Sequence, residues 1–433
     1  MLTAVTGINW GDEGKGRVID LLAEHADIVV RYQGGNNAGH TVVNKQGKFI
    51  LNLLPSGILH PDVVCVLGDG MVIDLNHLSN EIAQIRTQDV SVSPKNLKLS
   101  TRATISMPWH KIQDELEEER LSKSGAAFGS TKRGIAYAYS DKYRKKTIRL
   151  GDLLHLDEEN VQARLKTMLE AKTLKLAGCY HQEPMSLSAL LSWCRQKAAK
   201  YAPYITDTGA FLEDALSKGK RVVLEAQLGA MRDIDYGIFP YTSSSSTISA
   251  YGPIGAGIPG TSLDHVVGVL KAYSTCVGAG PFVAEKAMNG EWTEMVRKYG
   301  SEYGAATGRP RRVGPFDAVA SRYGLKCQHA DKIALTKLDV LSIMDQIPVI
   351  TGYQYKNAVT NVFDPTENLE KYTPVVKMLP GWKTDISNCR SYDELPVNAK
   401  RYINFLEDML RHEIQFVSVG AERNQYLLNG KWL

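Results

Sequence analysis

The sequence has little excess of charge of either sign. Its 433 residues include 51 Lys and Arg against 47 Asp and Glu, a formal net charge of +4. Proteins that hold nucleic acid by neutralising its phosphates usually carry a stronger and more clustered basic excess. We therefore expect no nucleic-acid partner, although this balance is compatible with a local basic site for a nucleotide.

Paired cysteines and long apolar runs are also missing. The six cysteines are scattered without a CxxC pair, which argues against a zinc site or a disulfide framework. No stretch reaches the roughly 18 to 20 apolar residues that a membrane span needs, and the first seven residues lack the charged start of a signal peptide. We expect a cytoplasmic protein with reduced thiols and no membrane partner.

What the sequence does have is an alternation of apolar segments, glycine-rich turns and helical patterns. Residues 2–8 and 28–32 are predicted to be buried strands, and residues 17–25 carry apolar side chains at helical spacing. This alternation is typical of an α/β fold with a mostly parallel central β-sheet. Residues 124–149, rich in Gly, Ser, Lys and Arg, are predicted to be a long basic loop. Without a repeat or a linker, residues 1–433 are predicted to form a single large domain with helical and loop insertions.

A glycine-rich turn, GDEGKG at 11–16, separates the first strand from the first helix. Backbone N–H groups at such a turn bind anions, and Lys15 adds positive charge for a phosphate. The turn is not a Walker A motif, because Arg17 stands where a hydroxyl is required. Asp12 would repel a phosphate unless it binds Mg²⁺ or acts as a base. An ordinary acidic turn is the alternative.

A second loop, GGNNAGHT at 34–41, follows the next strand. Because the loops at the carboxyl ends of parallel strands line one crevice, we expect Asp12 and His40 to lie close together. His40 is then placed to donate to a phosphate oxygen during transfer. The alternative is a histidine that only stabilises its own turn.

Two further motifs suit purine and anionic ligands. In TKLD at 336–339, Asp339 can accept hydrogen bonds from N1–H and the 2-amino group of guanine, with the stem of Lys337 along the base. The loop GAATGRPRR at 304–312 carries three arginines, whose guanidinium forks suit carboxylates or phosphates. A salt bridge at the end of a strand and a solvated basic loop are the respective alternatives.

Together these motifs resemble those of the adenylosuccinate synthetase family. The shared stretches, in chain order, are WGDEGKG (10–16), NNAGHT (36–41), GSTKRGI (129–135), DIDYG (233–237), PYTSSS (240–245), KAYSTCVGAGPF (271–282), ATGRPRR (306–312), TKLDVL (336–341) and SVGAER (418–423). The resemblance covers nearly the whole chain. It implies a homodimer that joins IMP and L-aspartate to adenylosuccinate while GTP is converted to GDP and phosphate.

The same resemblance implies a reaction that proceeds through 6-phosphoryl-IMP. Asp12 would remove the N1 proton of IMP, and His40 would act as the acid on the phosphate side. Mg²⁺ would lie between Asp12, the Gly39 carbonyl and phosphate oxygens. Lys145 of the partner copy, or the neighbouring Arg144, would reach the IMP phosphate.

Three sets of binding residues are carried over by resemblance. Those for GTP are Gly11, Asp12, Glu13, Gly14, Lys15, Gly16, Arg17, Gly39, His40, Thr41, Arg311, Lys337, Leu338, Asp339, Ser418, Val419 and Gly420. Those for IMP are Asp12, Lys15, Asn37, Ala38, Gly39, His40, Thr131, Lys145, Gln227, Ser243, Val277 and Arg309. Those for L-aspartate are Ala305, Ala306, Thr307, Gly308, Arg309 and Arg311.

One stretch departs from the family pattern in a way that affects the site. Residues 225–229 read EAQLG where EGAQG is common, which leaves the placement of Gln227 open by one residue. Two other activities stay open: amination of a 2-aminopurine nucleotide such as dGMP, and binding of GTP by a regulator that ligates nothing. Relatives of the first kind tend to replace Asp12. A regulator would not require Asp12, His40 and the three arginines together.

Overall fold

The computed structural model describes residues 1–44, 47–125, 129–183, 185–304, 308, 310–430 and 432–433. Within these ranges the strands are β1 (Leu2–Gly7), β2 (Ile28–Arg31), β3 (His40–Asn44), β4 (Gly47–Leu51), β5 (Val64–Leu67), β6 (Val72–Ile73), β7 (Leu97–Ser100), β8 (Thr104–Ile105), β9 (Ile205–Thr206), β10 (Val222–Glu225), β11 (His265–Lys271), β12 (Ser274–Cys276), β13 (Arg312–Gly314), β14 (Phe316–Asp317), β15 (Lys332–Thr336), β16 (Gln346–Tyr355), β17 (Ala358–Thr360), β18 (Thr373–Pro380), β19 (Phe416–Ser418) and β20 (Tyr426–Leu428). The helices are α1 (Lys15–Ala23), α2 (Leu75–Arg86), α3 (Pro108–Lys123), α4 (Ile135–Tyr143), α5 (Glu159–Tyr180), α6 (Leu187–Tyr201), α7 (Thr208–Ser217), α8 (Tyr251–Ala256), α9 (Gly290–Tyr299), α10 (Ala318–Gln328) and α11 (Val397–Leu410).

A ten-stranded sheet runs through the molecule in the order β20-β19-β15-β11-β1-β10-β2-β5-β7-β9. Neighbouring strands are parallel except β19 and β20, which pair antiparallel at one edge. The predicted α/β class with a mostly parallel central sheet is therefore confirmed.

Both faces of the central strand β1 are covered by apolar side chains. Leu2 and Ala4 pack into one cluster, and Val5 packs with Val18 and Ile19 of α1 into another. Because successive side chains of a strand point to opposite faces, the two clusters lie on the two sides of the sheet. Helix α1 is thereby fixed against the sheet directly after the glycine-rich turn.

The strand order brings the predicted site loops to one edge of the sheet. Strand β1 pairs with β10 and β11, and β10 pairs in turn with β2. The loops that follow parallel strands leave from the same edge. The segments after β1, β2, β10, β11 and β15 therefore emerge together, and most of the predicted substrate residues lie on them.

One predicted loop contains a helix. Helix α4 lies within residues 124–149, which were expected to form a basic loop throughout. Gly134, with φ of 75°, precedes it, and Ile135, Ala138 and Tyr139 are buried at helical spacing. The burial of these three side chains outweighs the polar and basic composition on either side.

In the described part of the chain, no helix is both long and apolar enough to cross a membrane. The longest of them, α5, has 22 residues. It buries Val161, Leu165 and Leu169 along one face, while charged residues cover much of the rest, as is typical of a helix on the surface of a protein.

Candidate active site

The glycine-rich turn between β1 and α1 is held from inside by Glu13. The backbone is left-handed at Gly11, Asp12 and Gly14, with φ of 98°, 61° and 93°. Glu13 Oε1 accepts hydrogen bonds from the backbone N–H groups of Asn9 (3.1 Å) and Gly11 (2.8 Å). This buried carboxylate fixes the turn, whereas the side chain of Asp12 remains 34% exposed.

Lys15, predicted to bind phosphate, is paired with Glu13. Its Nζ lies 2.7 Å from Glu13 Oε2, and each side chain is only 3% exposed. The surrounding space is closed as well, because a Cβ at Gly7 would lie 2.2 Å from the carbonyl oxygen of Leu228. The positive charge of Lys15 is therefore balanced within the turn.

Asp12 meets an arginine of the second predicted anion loop. Its Oδ2 lies 2.9 Å from Arg311 Nε, and Arg311 Nη1 donates to Glu302 Oε2 at 2.7 Å. Arg311 thus bridges a partly exposed carboxylate and a fully buried one. Of the other residues predicted for L-aspartate, Gly308 has φ of 65°. The rest lie outside the described residues: Ala305, Ala306, Thr307 and Arg309.

His40 begins β3 and is hydrogen-bonded to Glu225, the last residue of β10. Its Nδ1 lies 2.5 Å from Glu225 Oε1. Glu225 is fully buried and also accepts from the backbone N–H (2.7 Å) and the hydroxyl (2.9 Å) of Ser56. Burial lowers the pKa of His40. Although burial alone would raise the pKa of Glu225, the hydrogen bond from His40 and the nearby Arg31 guanidinium keep it below its usual value.

The hydrogen bond to Glu225 determines which ring nitrogen of His40 carries the proton. The Glu225 carboxylate holds a proton on Nδ1 of His40, because a carboxylate can only accept. Nε2 is then the ring nitrogen that remains for a substrate. The first two loops are also in contact here, since a Cβ at Gly16 would lie 3.2 Å from the Cβ of His40.

Gln227, whose placement the sequence left open, contacts Asn37 directly. Its Nε2 donates to Asn37 Oδ1 at 2.8 Å, and its Oε1 accepts from Arg31 Nη2 at 2.6 Å. Arg31 is fully buried and donates a further hydrogen bond to the carbonyl of Asn52 (2.8 Å). Leu228 has φ of 62°, so the chain turns immediately after Gln227. Two residues predicted for IMP are thereby joined.

A cavity of about 320 Å³ is bordered by α3, α4 and the segments after β10 and β12. Four of the residues predicted for IMP line it: Asn37, Thr131, Ser243 and Val277. Leu228 and Arg232 contribute to the same wall. Lys145, also predicted for IMP, lies elsewhere on the exposed turn that follows α4, with φ of 59°.

Two carboxylates of α3 fix the loop that carries Thr131. Glu118 Oε1 accepts from the backbone N–H of Gly129 at 2.6 Å. Asp114 accepts from the Ser130 hydroxyl at 2.6 Å and from the Gly134 N–H at 2.8 Å. The position of this loop in the cavity wall therefore depends on one face of α3.

Arg17, predicted for GTP, binds the segment that follows β19. Its Nη1 donates to Ser418 Oγ at 2.8 Å and to the carbonyl of Gly420. Its Nη2 donates to the carbonyls of Glu422 and Gln425, the latter at 3.0 Å. Burial lowers the pKa of Arg17. The guanidinium therefore shapes the segment that contains Ser418, Val419 and Gly420, which are also predicted for GTP.

The TKLD motif stands at the end of β15 beside the first turn. Thr336 Oγ1 donates to the carbonyl of Glu13. Lys337, with φ of 60°, donates to the carbonyl of Gly300. Burial raises the pKa of Asp339, opposed by the charges of Lys337 and Arg17. The predicted guanine-binding residues are thus adjacent to the predicted phosphate-binding turn.

Comparison with known proteins identifies the family. The family model described as adenylosuccinate synthetase matches residues 4–427. The chain belongs to the adenylosuccinate synthetase family. It is 42% identical to the adenylosuccinate synthetase of Heliobacterium modesticaldum over 99% of this chain and 98% of that protein. The corresponding protein of Carboxydothermus hydrogenoformans is 43% identical, over 98% and 97%.

Solved structures agree with this membership. A fully ligated adenylosuccinate synthetase from Plasmodium falciparum has a TM-score of 0.90 and 37% identity, with 99% of each chain covered. The succinoaminodeoxyadenylate synthetase of cyanophage S-2L, bound to dGMP and dATP, has a TM-score of 0.58 and 17% identity, over 99% of this chain and 95% of that one. The second similarity extends to the fold alone.

The adenylosuccinate synthetase family defines the activity of this enzyme. It is a GTP-dependent ligase of AMP biosynthesis that converts IMP and L-aspartate to adenylosuccinate. The predicted family and reaction are confirmed. A GTP-binding regulator that ligates nothing is not consistent with this membership.

Asp12 and Gly39 suit the magnesium ion that the family resemblance implies. Mg²⁺ is usually held by one or two carboxylates together with substrate phosphates rather than by a complete protein cage. Asp12 is partly exposed, and a Cβ at the exposed Gly39 would meet no atom within 4 Å. The donors therefore fit an ion that is shared with a bound nucleotide.

Some buried charged residues of this site were not predicted from the sequence, among them Arg31, Glu225 and Glu302. Arg31 and Glu225 each end a strand that is otherwise apolar, IVVR and VVLE. A charge at the carboxyl end of a buried strand is a signal for a site at that edge of the sheet. Glu302 has no comparable signal, because it precedes β13 in an irregular segment.

Proposed function

We propose that Asp12 is the base of this ligase and that the reaction passes through 6-phosphoryl-IMP. Asp12 takes the N1 proton of IMP, and the resulting O6 anion attacks the γ-phosphorus of GTP, which releases GDP. The amine of L-aspartate then displaces phosphate at C6 and loses a proton. The observation that supports this role best is the partly exposed carboxylate of Asp12, ion-paired to Arg311, while the neighbouring Glu13 is fully engaged inside the turn.

Mg²⁺ held by Asp12 and the Gly39 carbonyl would neutralise charge on the transferred phosphoryl group. The protein contributes its own groups around this position. Backbone N–H groups at the start of α1 would provide a cradle for phosphate oxygens, as helix N-termini commonly do, whereas the N–H of Gly11 is engaged by Glu13. Lys15 is ion-paired to Glu13, so its ammonium group would have to leave that carboxylate before it could bind a phosphate.

His40 is proposed as the acid on the phosphate side. Its Nδ1 is held by Glu225, so Nε2 is available to face the transferred group. A doubly negative phosphate favours a second proton on the ring, and the ionised Glu225 stabilises the imidazolium that results. Donation from Nε2 then stabilises the charge that develops during transfer.

IMP is proposed to occupy the 320 Å³ cavity. Asn37, Thr131 and Ser243 offer amide and hydroxyl donors for its phosphate and ribose, and Val277 offers an apolar surface. Gln227 supports this site through its hydrogen bond to Asn37. Arg311, which lies beside Asp12, is proposed to bind a carboxylate of L-aspartate.

GTP is proposed to lie along the turn with its base against TKLD. Asp339 would accept from N1–H and the 2-amino group of guanine, a pair of donors that adenine lacks. Lys337 and the segment after β19, which is held by Arg17, would pack around the guanine base.

Residues 1–433 are proposed to act as one domain in a homodimer. Lys145 and Arg144 are exposed at the end of α4 and do not line the cavity of their own copy. In a dimer, one of them would reach the IMP phosphate of the partner copy.

The test is product formation from GTP, Mg²⁺, IMP and L-aspartate by an Asp12→Asn variant. We expect no adenylosuccinate, with GTP and IMP binding still measurable by calorimetry. Asp89→Asn is the matched control, since Asp89 is another aspartate with left-handed backbone (φ 60°) but lies on a surface turn after α2. Turnover by Asp12→Asn close to that of this control would rule Asp12 out as the base.

A further inference from the structure

Glu302 is a fully buried carboxylate surrounded by positive charge. Its Oε1 accepts from Lys271 Nζ at 3.0 Å and from the Tyr273 hydroxyl at 2.5 Å. Its Oε2 accepts from Arg311 Nη1 at 2.7 Å. Lys337 Nζ lies 3.5 Å from Oε1. A buried ion of this kind is tolerated only where its partners compensate the loss of water.

The three cations come from three different segments. Lys271 ends β11, Lys337 follows β15, and Arg311 belongs to the arginine loop before β13. The backbone of Glu302 is fixed as well: its carbonyl accepts from Arg311 N at 2.9 Å, and its N–H donates to the carbonyl of Arg297 at 2.9 Å. One carboxylate therefore connects the sheet edge to the loop.

The charge state of the cluster agrees with this geometry. Burial opposes ionisation, but Lys271, Lys337 and Arg311 keep the pKa of Glu302 well below its usual value. Burial lowers the pKa of Lys271 to about 8. The cluster thus contains a carboxylate that stays ionised at neutral pH.

We propose that Glu302 is a positioning residue that sets Arg311 for L-aspartate and Lys337 for GTP. Having no exposed surface, it acts through these two side chains and not by touching a substrate. This role rests on the proposed function, which assigns Arg311 to L-aspartate and Lys337 to guanine. It adds a physical link between two substrate sites that the sequence treats as separate motifs.

Loss of the Glu302 charge has a definite consequence for Arg311. Within the described residues, Arg311 is ion-paired to Glu302 and to Asp12. Without the first, Arg311 is drawn towards Asp12, the proposed base, and away from the position that receives a substrate carboxylate. At the same time Lys271, Lys337 and Arg311 are left to repel one another.

The experiment is steady-state kinetics on Glu302→Gln, which keeps the shape of the side chain and removes its charge. We expect the KM for L-aspartate to rise on the order of tenfold, the factor associated with the charge-assisted hydrogen bond from Arg311 that is lost. The KM for GTP should rise by a smaller factor, because Lys337 is ion-paired to Glu302 at 3.5 Å and keeps its hydrogen bond to the Gly300 carbonyl. The KM for IMP should change less than that for L-aspartate, because Asn37, Gln227 and the cavity do not contact Glu302 and only Asp12, through Arg311, connects the two sites.

Asp141→Asn is the matched control. Asp141 is also buried and ion-paired to a lysine, Lys172, with an Nζ–Oδ2 distance of 2.7 Å, and it contacts neither Arg311 nor Lys337 in the described residues. It should lower thermal stability and leave the KM values for L-aspartate and GTP unchanged. Equal KM changes in the two variants would overturn the proposal.

A double variant separates positioning from folding. Glu302→Gln combined with Lys271→Met removes one positive charge together with the negative one and should recover thermal stability. The KM values for L-aspartate and GTP should remain raised, because Arg311 and Lys337 still lack their carboxylate. Recovery of KM together with stability would show a purely structural role and refute the proposal.

Direct variants distinguish this proposal from the substrate assignment beneath it. Arg311→Leu and Lys337→Met should raise the KM for L-aspartate and for GTP, respectively. If neither does so, the assignment of these substrates is wrong, and the role of Glu302 fails with it. If both do so while Glu302→Gln leaves KM unchanged, only the role of Glu302 is refuted.

Discussion

Replacing Glu225 by Gln tests whether His40 works as an acid. Glu225 Oε1 receives hydrogen bonds from His40 Nδ1 and the Ser56 hydroxyl, and Oε2 receives one from Ser56 N–H. Glutamine offers an oxygen in only one of these two places. In one orientation its NH₂ faces the Ser56 N–H, and in the other it faces Nδ1 of His40.

The expected loss of kcat in Glu225→Gln follows from these two orientations of the glutamine side chain. A buried donor that faces another donor costs about 1–3 kcal/mol. When the glutamine NH₂ faces Nδ1 of His40, the imidazole therefore changes tautomer and carries its proton on Nε2. The neutral amide no longer stabilises a second proton on the ring, so the imidazolium becomes unfavourable. Because general acid catalysis typically contributes about 10²- to 10⁴-fold, we expect kcat to fall by at least about 10²-fold.

The assay is kcat at saturating GTP, IMP and L-aspartate, with circular dichroism to verify folding. Ser56→Ala is the control, since it removes the hydroxyl that shares Oε1 and leaves the carboxylate and His40 in place. We expect its kcat to change by less than about threefold, since one neutral hydrogen bond contributes about 1 kcal/mol. A folded Glu225→Gln enzyme with the same kcat as Ser56→Ala would refute an acid role for His40.

Two further predictions concern stability and GTP. Burial raises the pKa of Asp317 to about 6 from 3.8, so its contribution to stability is complete below about pH 4 and is lost as the pH rises through 6. This change in pKa corresponds to about 3 kcal/mol of unfolding free energy. In denaturant unfolding between pH 4 and pH 7, the wild type should therefore lose up to that much stability relative to Asp317→Asn. A stability difference between the two proteins that does not depend on pH would contradict this prediction. Arg17→Lys should raise the KM for GTP about tenfold and leave that for IMP unchanged, because one ammonium cannot reproduce the contacts to Ser418, Gly420, Glu422 and Gln425. Equal effects on both KM values would show that Arg17 does not act through the guanine segment.

The sequence was sufficient for the fold class because the signals are local. The buried run at 2–8 appears as β1 (Leu2–Gly7), and the helical pattern at 17–25 appears as α1 (Lys15–Ala23). The prediction failed at α4, where three buried side chains lie within a basic stretch. Basic composition indicated solvent exposure, whereas the spacing of Ile135, Ala138 and Tyr139 decided the structure.

Parts of the site could not be predicted because they depend on strand order. The sequence places Arg31 and Gln227 196 residues apart, and their hydrogen bond exists because β10 inserts between β1 and β2. The same insertion brings Glu225 to His40. No local pattern reports which strands are neighbours. The substrate-contacting roles carried over by resemblance remain predictions for the experiments above.

The internal anchoring of the glycine-rich turn has a thermodynamic consequence for nucleotide binding. A loop that folds around its ligand loses conformational entropy at the moment of binding, which weakens affinity and slows association. Here Glu13 already holds the N–H groups of Asn9 and Gly11 and the ammonium of Lys15. In the proposed complex with GTP, the backbone of the turn would need no refolding and only the ammonium of Lys15 would change its partner. More of the interaction energy would then be available to orient the γ-phosphate for attack.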